Sequence, residues 1–167
     1  DEAKAVIGIP ANEKVILYVG RIEPLKGIDN LLKAMAILRK TQVFTLCPHY
    51  VAIIGGEPDK PREMLDEEMR HLQDLNHNLG LDDMVVFLGK KAQDSLPYYY
   101  SAAEVVVMPS HYESFGMVAL EAMACATPVI ATRVGGLEWL VQNEITGLSV
   151  PDADPAALAT QLQRILC

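Results

Sequence analysis

Cysteine is scarce in this 167-residue chain: Cys47, Cys125 and Cys167 show no metal-ligand spacing and form no even disulfide set. A reducing cytoplasm is the expected compartment. Cys125, among Ala122, Met123, Ala124 and Ala126, reads as a small core residue, and the last residue, Cys167, as exposed. No apolar run reaches the ~18 residues that a membrane span would need, and the start, Asp1-Glu2-Ala3-Lys4, is acidic and polar where a secretory leader is basic and then apolar. Neither a span nor a leader is expected. Basic residues are outnumbered, 14 against 22 acids for a net charge of −8, which argues against nucleic acid as a partner. From Glu57 to Asp83 nine acids face three bases; that stretch reads as a solvated helix face and leaves the rest near neutral. Two glycine fingerprints are also missing, Gly-x-Gly-x-x-Gly and Gly-Lys-Ser/Thr, so neither a dinucleotide motif nor a P-loop is available.

What is present alternates. Apolar, β-branched runs at Val15–Val19, Val51–Ile54, Val85–Leu88, Val105–Met108, Pro128–Thr132 and Thr146–Val150 read as strands, the last a short edge strand. Between them lie helical stripes: Ile28 to Leu38; Leu65, Met69, Leu72, Leu75 and Leu79 on a helix opened by Pro61 and stopped by Gly80; and Leu96 to Ala103 behind a capping Asp94. A helix after Gly116, a short one from Gly135-Gly136, and a last one capped by Asp154 and Pro155 follow. Thr41 to Tyr50 reads as a connection. This order predicts an α/β fold, a Rossmann-like parallel sheet with helices on both faces, and ligands at the strands' carboxyl ends. His71 and His77 are expected in solvent. Tyr98, Tyr99 and Tyr100 are expected to pack their rings on the sheet with hydroxyls outward. Gly55-Gly56 could admit either a ligand or another backbone.

Two loops carry the chemistry. After the first strand, Gly20-Arg-Ile-Glu-Pro-Leu-Lys-Gly27 holds Arg21 and Lys26 between glycines, a planar fork and a compact charge suited to a diphosphate. After the fourth strand, Pro109-Ser-His-Tyr-Glu-Ser-Phe-Gly116 leads into an apolar helix. There Gly116 leaves room for a ligand, and the amides of Phe115, Gly116 and Met117 would be the unpaired donors of a helix start, a seat for an anion. Glu113 and Glu121, with seven residues between them, frame that seat. A carboxylate repels phosphate, so these two are read as acceptors for hydroxyl groups.

These motifs resemble those of the retaining glycosyltransferases of the GT-B fold, in particular glycosyltransferase family 4 (group 1), which includes sucrose-phosphate synthases. The Glu-x7-Glu pair and the Gly-Arg-x4-Lys-Gly loop carry the resemblance, which runs from Val15 to Leu166 and matches only the family's C-terminal half. It implies that Glu113 touches the donor sugar, that Glu121 binds the ribose hydroxyls, and that Arg21 and Lys26 hold the diphosphate. It further implies that Gly20 and residues Ser114, Phe115, Gly116, Met117 and Val118 line the donor, a UDP-sugar or another nucleoside diphosphate sugar. The loop at Gly89-Lys90-Lys91 would lie along the base. No cofactor or metal is implied, and no clustered Asp, His or Cys ligands stand near the two loops. The acceptor would sit on an N-terminal domain, so this chain is expected to be the donor half, inactive alone. Two rivals are a regulatory nucleotide-sugar sensor of the same fold and an oxidoreductase-like Rossmann domain, the latter disfavoured by the missing glycine fingerprint.

Overall fold

The computed structural model describes residues 1–42 and 49–166. Cys47, Cys167 and the middle of the connection before Tyr50 lie outside them. Six strands form one parallel sheet: β1 (Lys14–Val19), β2 (His49–Ile54), β3 (Val85–Gly89), β4 (Val105–Met108), β5 (Val129–Thr132) and β6 (Leu148–Val150), in the order β3-β2-β1-β4-β5-β6. That is the doubly wound order, with its switch point between β1 and β4, where ligand crevices form in such sheets. β6 is an edge strand that starts at Leu148, because Thr146 and Gly147 belong to the turn before it.

Strand side chains alternate between two cores. Ile16, Tyr18, Val51, Ile53, Val105 and Val107 pack on one face, under α2 (Ile28–Arg39), α3 (Glu67–Asn78) and α7 (Pro155–Leu166). Val15, Leu17, Ala52, Ile54, Val106, Met108, Val129 and Ala131 pack on the other, under α1 (Glu2–Ile7), α4 (Leu96–Ala102), α5 (Met117–Ala124) and α6 (Leu137–Leu140). Helices therefore cover both faces, and Cys125 packs partly buried against the second core.

Several boundaries depart from expectation. α1 was not expected. Its Lys4 is 7 % exposed, and Lys4 Nζ meets Glu104 at 2.7 Å and the Glu13 carbonyl at 2.8 Å, so a buried cation is fully paired. Pro61 opens only a 3₁₀ turn, Arg62–Met64. Leu65 is then extended to drop its side chain into the core, and the helix begins at Glu67 behind Asp66, with Glu67 and Glu68 in its first turn, where acids suit the helix dipole. Gly80, at φ +70, follows that helix as expected. Ser95, not Asp94, occupies the N-cap of α4. Gly55 makes room for backbone: a Cβ there would lie 1.9 Å from the Gly20 carbonyl oxygen. His71 and His77 are exposed, His77 bonded to Asp82 at 2.7 Å.

Candidate functional site at the sheet switch point

The loops that follow β1 and β4 meet because their strands are neighbours. Contact is made through glycine. Gly27, at φ +63, is the N-cap of α2, and a Cβ on it would stand 2.0 Å from the Pro109 carbonyl oxygen; both the left-handed backbone and the close approach require this residue. The His111 amide donates to the Leu25 carbonyl at 2.9 Å and closes the junction.

Lys26, in the 3₁₀ turn Pro24–Lys26, reaches across it. Its Nζ lies 2.9 Å from Glu113 Oε2, with the two side chains 21 % and 18 % exposed. The Ser110 hydroxyl reaches the same carboxylate oxygen at 3.4 Å. A cavity of about 50 Å³ lies here, lined by Tyr18, Gly20, Lys26, Ser110, Glu113 and Val118. Tyr18 is its floor. The buried hydroxyl donates to the Arg21 carbonyl at 2.7 Å, and burial, then the nearby charges of Glu113 and Glu23, push the phenol well above its ordinary pKa. It therefore stays a neutral donor and pins the start of the cation loop.

Arg21 is not drawn into this cluster. Its side chain is 82 % exposed, with Nη1 3.5 Å from Glu23 in the same loop, a surface pair of little energetic weight.

Glu121 sits on the second turn of α5, apart from Glu113. Its Oε2 accepts from the Tyr100 hydroxyl at 2.7 Å and its Oε1 from Gln93 at 3.4 Å. This corrects the expectation for the tyrosines: Tyr100 is 2 % exposed and its hydroxyl points at a carboxylate. Tyr98 alone of the three is clearly in solvent.

Gly116 is needed for its backbone at φ +79, but the side where a Cβ would stand faces Leu137 at 2.9 Å, so the room it makes is for α6. The amides of Met117, Val118 and Ala119 open α5 without intrahelical partners by position. Phe115 and Met117 are exposed beside them. The pair Gly135-Gly136 presses on the glutamate loop from below: the Gly136 amide donates to the Glu113 carbonyl at 2.8 Å, and a Cβ on Gly135 would lie 2.2 Å from that same oxygen. The glycine pair is the sequence signal for this support. Gly27 was marked by its loop motif but not for its contact with Pro109, and Tyr18 and Ser110 left no comparable signal, since these roles depend on which strands are neighbours.

An Asp-x-Asp triplet occurs at Asp152-Ala153-Asp154, with its carboxylates engaged separately. Asp152 meets His111 Nδ1 at 2.7 Å, and Asp154 accepts from the Ala157 amide at 2.9 Å to cap α7. Among the described residues no group of three or more His, Cys, Asp or Glu could hold a metal ion, and no helix is long and apolar enough to cross a membrane.

A doubly wound parallel sheet with a cation loop and a helix start apposed at its switch point defines an α/β domain of the Rossmann-like class. The chain belongs to the group 1 glycosyl transferases, whose family model matches residues 1–167. It is similar to the D-inositol 3-phosphate glycosyltransferase of Saccharomonospora viridis, 44 % identical over 163 residues that cover 98 % of this chain and 37 % of the relative. Sucrose-phosphate synthase from Thermosynechococcus elongatus superposes with a TM-score of 0.85 at 43 % identity, over 99 % of this chain and 39 % of that one. Anabaena HepE in complex with UDP-glucose gives 0.79 at 28 % identity, over 98 % and 41 %. The C-terminal domain of a group 1 family protein from Francisella tularensis gives 0.81 at 28 %, over 99 % and 80 %. The chain thus spans little more than a third of the curated relative's length and has the GT-B-like fold of these glycosyltransferases.

Proposed function

We propose that this chain is the donor-binding half of a retaining family 4 glycosyltransferase of the GT-B fold, which moves a hexose from a UDP-sugar to an acceptor hydroxyl. The observation that carries the reading is the Lys26–Glu113 pair at 2.9 Å across the switch point, which joins the two motifs in one crevice. Lys26, Arg21 and the first amides of α5 take the diphosphate and balance the charge that develops on it as it leaves. Glu113 accepts from a sugar hydroxyl, Glu121 from the ribose. Gly20, Ser114, Phe115, Gly116, Met117 and Val118 line the donor. Cations and helix amides suffice for this, so the reaction needs no metal. The bound UDP-glucose of Anabaena HepE supports a uridine donor, and the separate C-terminal domain from Francisella tularensis supports a self-contained half. The acceptor sits on an N-terminal domain, the parent enzyme works in the cytoplasm, and this half transfers nothing alone.

The test is a titration with UDP and UDP-glucose, in excess chelator and in millimolar magnesium. Equal binding in both media is expected. Affinity seen only with magnesium would replace the cation loop by a metal-bridged diphosphate, and no affinity in either would remove the donor reading. A sensor of the same fold would bind equally well, and is distinguished by a full-length parent that releases no UDP with any acceptor.

A further inference from the structure

Tyr100 has a polar atom that the fold does not need. Its ring is buried in the second core, with Leu96, Val106, Ala119 and Ala122, and a phenyl ring would fill that space as well. A buried hydroxyl costs free energy unless it finds a partner. The partner here is a carboxylate on another helix, 21 residues along the chain, at 2.7 Å. Gln93, in the loop before α4, donates to the other oxygen of the same carboxylate at 3.4 Å. Burial and the adjacent Glu121 charge push the phenol well above its ordinary pKa, so the proton stays on Tyr100 and the hydroxyl only donates. A carboxylate has about four lone-pair positions. With one on each oxygen taken, by the Tyr100 hydroxyl and by Gln93, two acceptor positions are left for a ligand.

We propose that Tyr100, assisted by Gln93, is a positioning residue for Glu121, holding both carboxylate oxygens so that they accept together from the vicinal hydroxyls of a nucleotide ribose. This rests on the ribose role given to Glu121 above. Without the phenol the glutamate keeps its charge but regains rotamer freedom, and ordering it again weakens the ligand. The loss falls only on ligands that carry the hydroxyls.

The experiment is calorimetric titration of this chain and its Tyr100→Phe, Gln93→Ala, Glu121→Gln and Tyr100→Phe/Glu121→Gln variants. The probes are UDP and 2′,3′-dideoxyuridine diphosphate. Tyr100→Phe is expected to weaken UDP about 3- to 10-fold, and Gln93→Ala about 2-fold, the scale of one hydrogen bond. Both should bind the dideoxy ligand as wild type does. In the Glu121→Gln background the tyrosine change should add nothing. Packing damage would instead weaken both ligands alike, and that result, or wild-type UDP binding by Tyr100→Phe while Glu121→Gln is impaired, overturns the positioning role. If Tyr100→Phe does not fold, Gln93→Ala decides: equal loss or no loss for both ligands overturns it. Unchanged preference for UDP over the dideoxy ligand in Glu121→Gln removes the ribose role of the glutamate itself.

Discussion

Lys26→Ala tests the charge arrangement of the crevice directly, because the lysine has two partners in turn. Before ligand binds, its Nζ is 2.9 Å from Glu113 and both side chains are about four-fifths buried. On the proposed binding of a diphosphate, the ammonium would share itself with a phosphate oxygen, and losing that charge-assisted bond would cost about 1.5–3 kcal/mol. A second term follows from the geometry. Glu113 is left without its cation, facing the incoming diphosphate, and at an effective dielectric between 20 and that of water the repulsion is about 1 kcal/mol at 7 Å or so. The sum is about 2.5–4 kcal/mol, or roughly 100- to 1000-fold in affinity for UDP. Glu113→Gln removes the repulsion and frees the lysine, so alone it should leave UDP affinity unchanged or improve it slightly, while abolishing any preference for the sugar-bearing form. The double variant should bind UDP about 5-fold more tightly than Lys26→Ala, recovering the repulsive term alone. Calorimetry at low salt reads all four proteins. A lysine variant within about 2-fold of wild type, or a double variant no tighter than the single, would refute the argument.

Arg21→Ala should weaken UDP by about 1.5–3 kcal/mol with an unchanged melting temperature, since the side chain is 82 % exposed and paired only with its neighbour Glu23; calorimetry and a thermal melt check the two halves. Gly27→Ala should cost about 1–2 kcal/mol for its left-handed backbone, plus whatever the clash with Pro109 adds, and should abolish UDP binding by separating the loops; denaturant unfolding beside a titration reads both. Asp83 carries a pH dependence. The hydrogen bond from Arg39 holds its carboxyl below the ordinary 3.8, so the pair contributes above that value and its contribution disappears as pH falls through the lowered one. Being largely exposed, it is worth at most about 1 kcal/mol: Asp83→Asn should be slightly less stable at neutral pH, with the difference fading below 3.8 in urea titrations.

The six strands were legible because each is a short apolar run ended by glycine or a polar turn, and buried parallel strands need no more than that. Which strands are neighbours was not legible. The adjacency of β1 and β4 comes from the winding of the whole chain, and the apposition of Lys26 and Glu113, the demand on Gly27 and the buried floor at Tyr18 all descend from it. Helix starts failed where a tertiary contact competed with a local signal. Pro61 is a sound opener by local rules, yet Leu65 does more by entering the core extended, and the acids Glu67 and Glu68 behind Asp66 were the better marker. Tyr100 was misread for a similar reason: three adjacent tyrosines look alike in sequence, and only the position of α5 gives one of them a carboxylate.

Under the proposed donor reading, the crevice also accounts for how a chain with a net charge of −8 would present a seat for an anion. The four side chains given roles, Arg21, Lys26, Glu113 and Glu121, cancel in sum, and Glu23 beside Arg21 adds one negative charge, but they are not equivalent. Both negative charges among the four are held before any ligand arrives, Glu113 by Lys26 and Glu121 by Tyr100 and Gln93. The most exposed of the four is Arg21, only loosely paired with Glu23 at 3.5 Å, and the free backbone amides at the start of α5 add partial positive charge beside it. The proposed diphosphate would therefore meet the arginine and the helix amides first, with both assigned carboxylates already engaged elsewhere. Because Lys26 is already desolvated and oriented by Glu113, binding exchanges one carboxylate partner for a shared one and avoids stripping water from a free ammonium. Each carboxylate keeps acceptor positions that these contacts leave open, which is what the proposed hydroxyl recognition beside a phosphate requires.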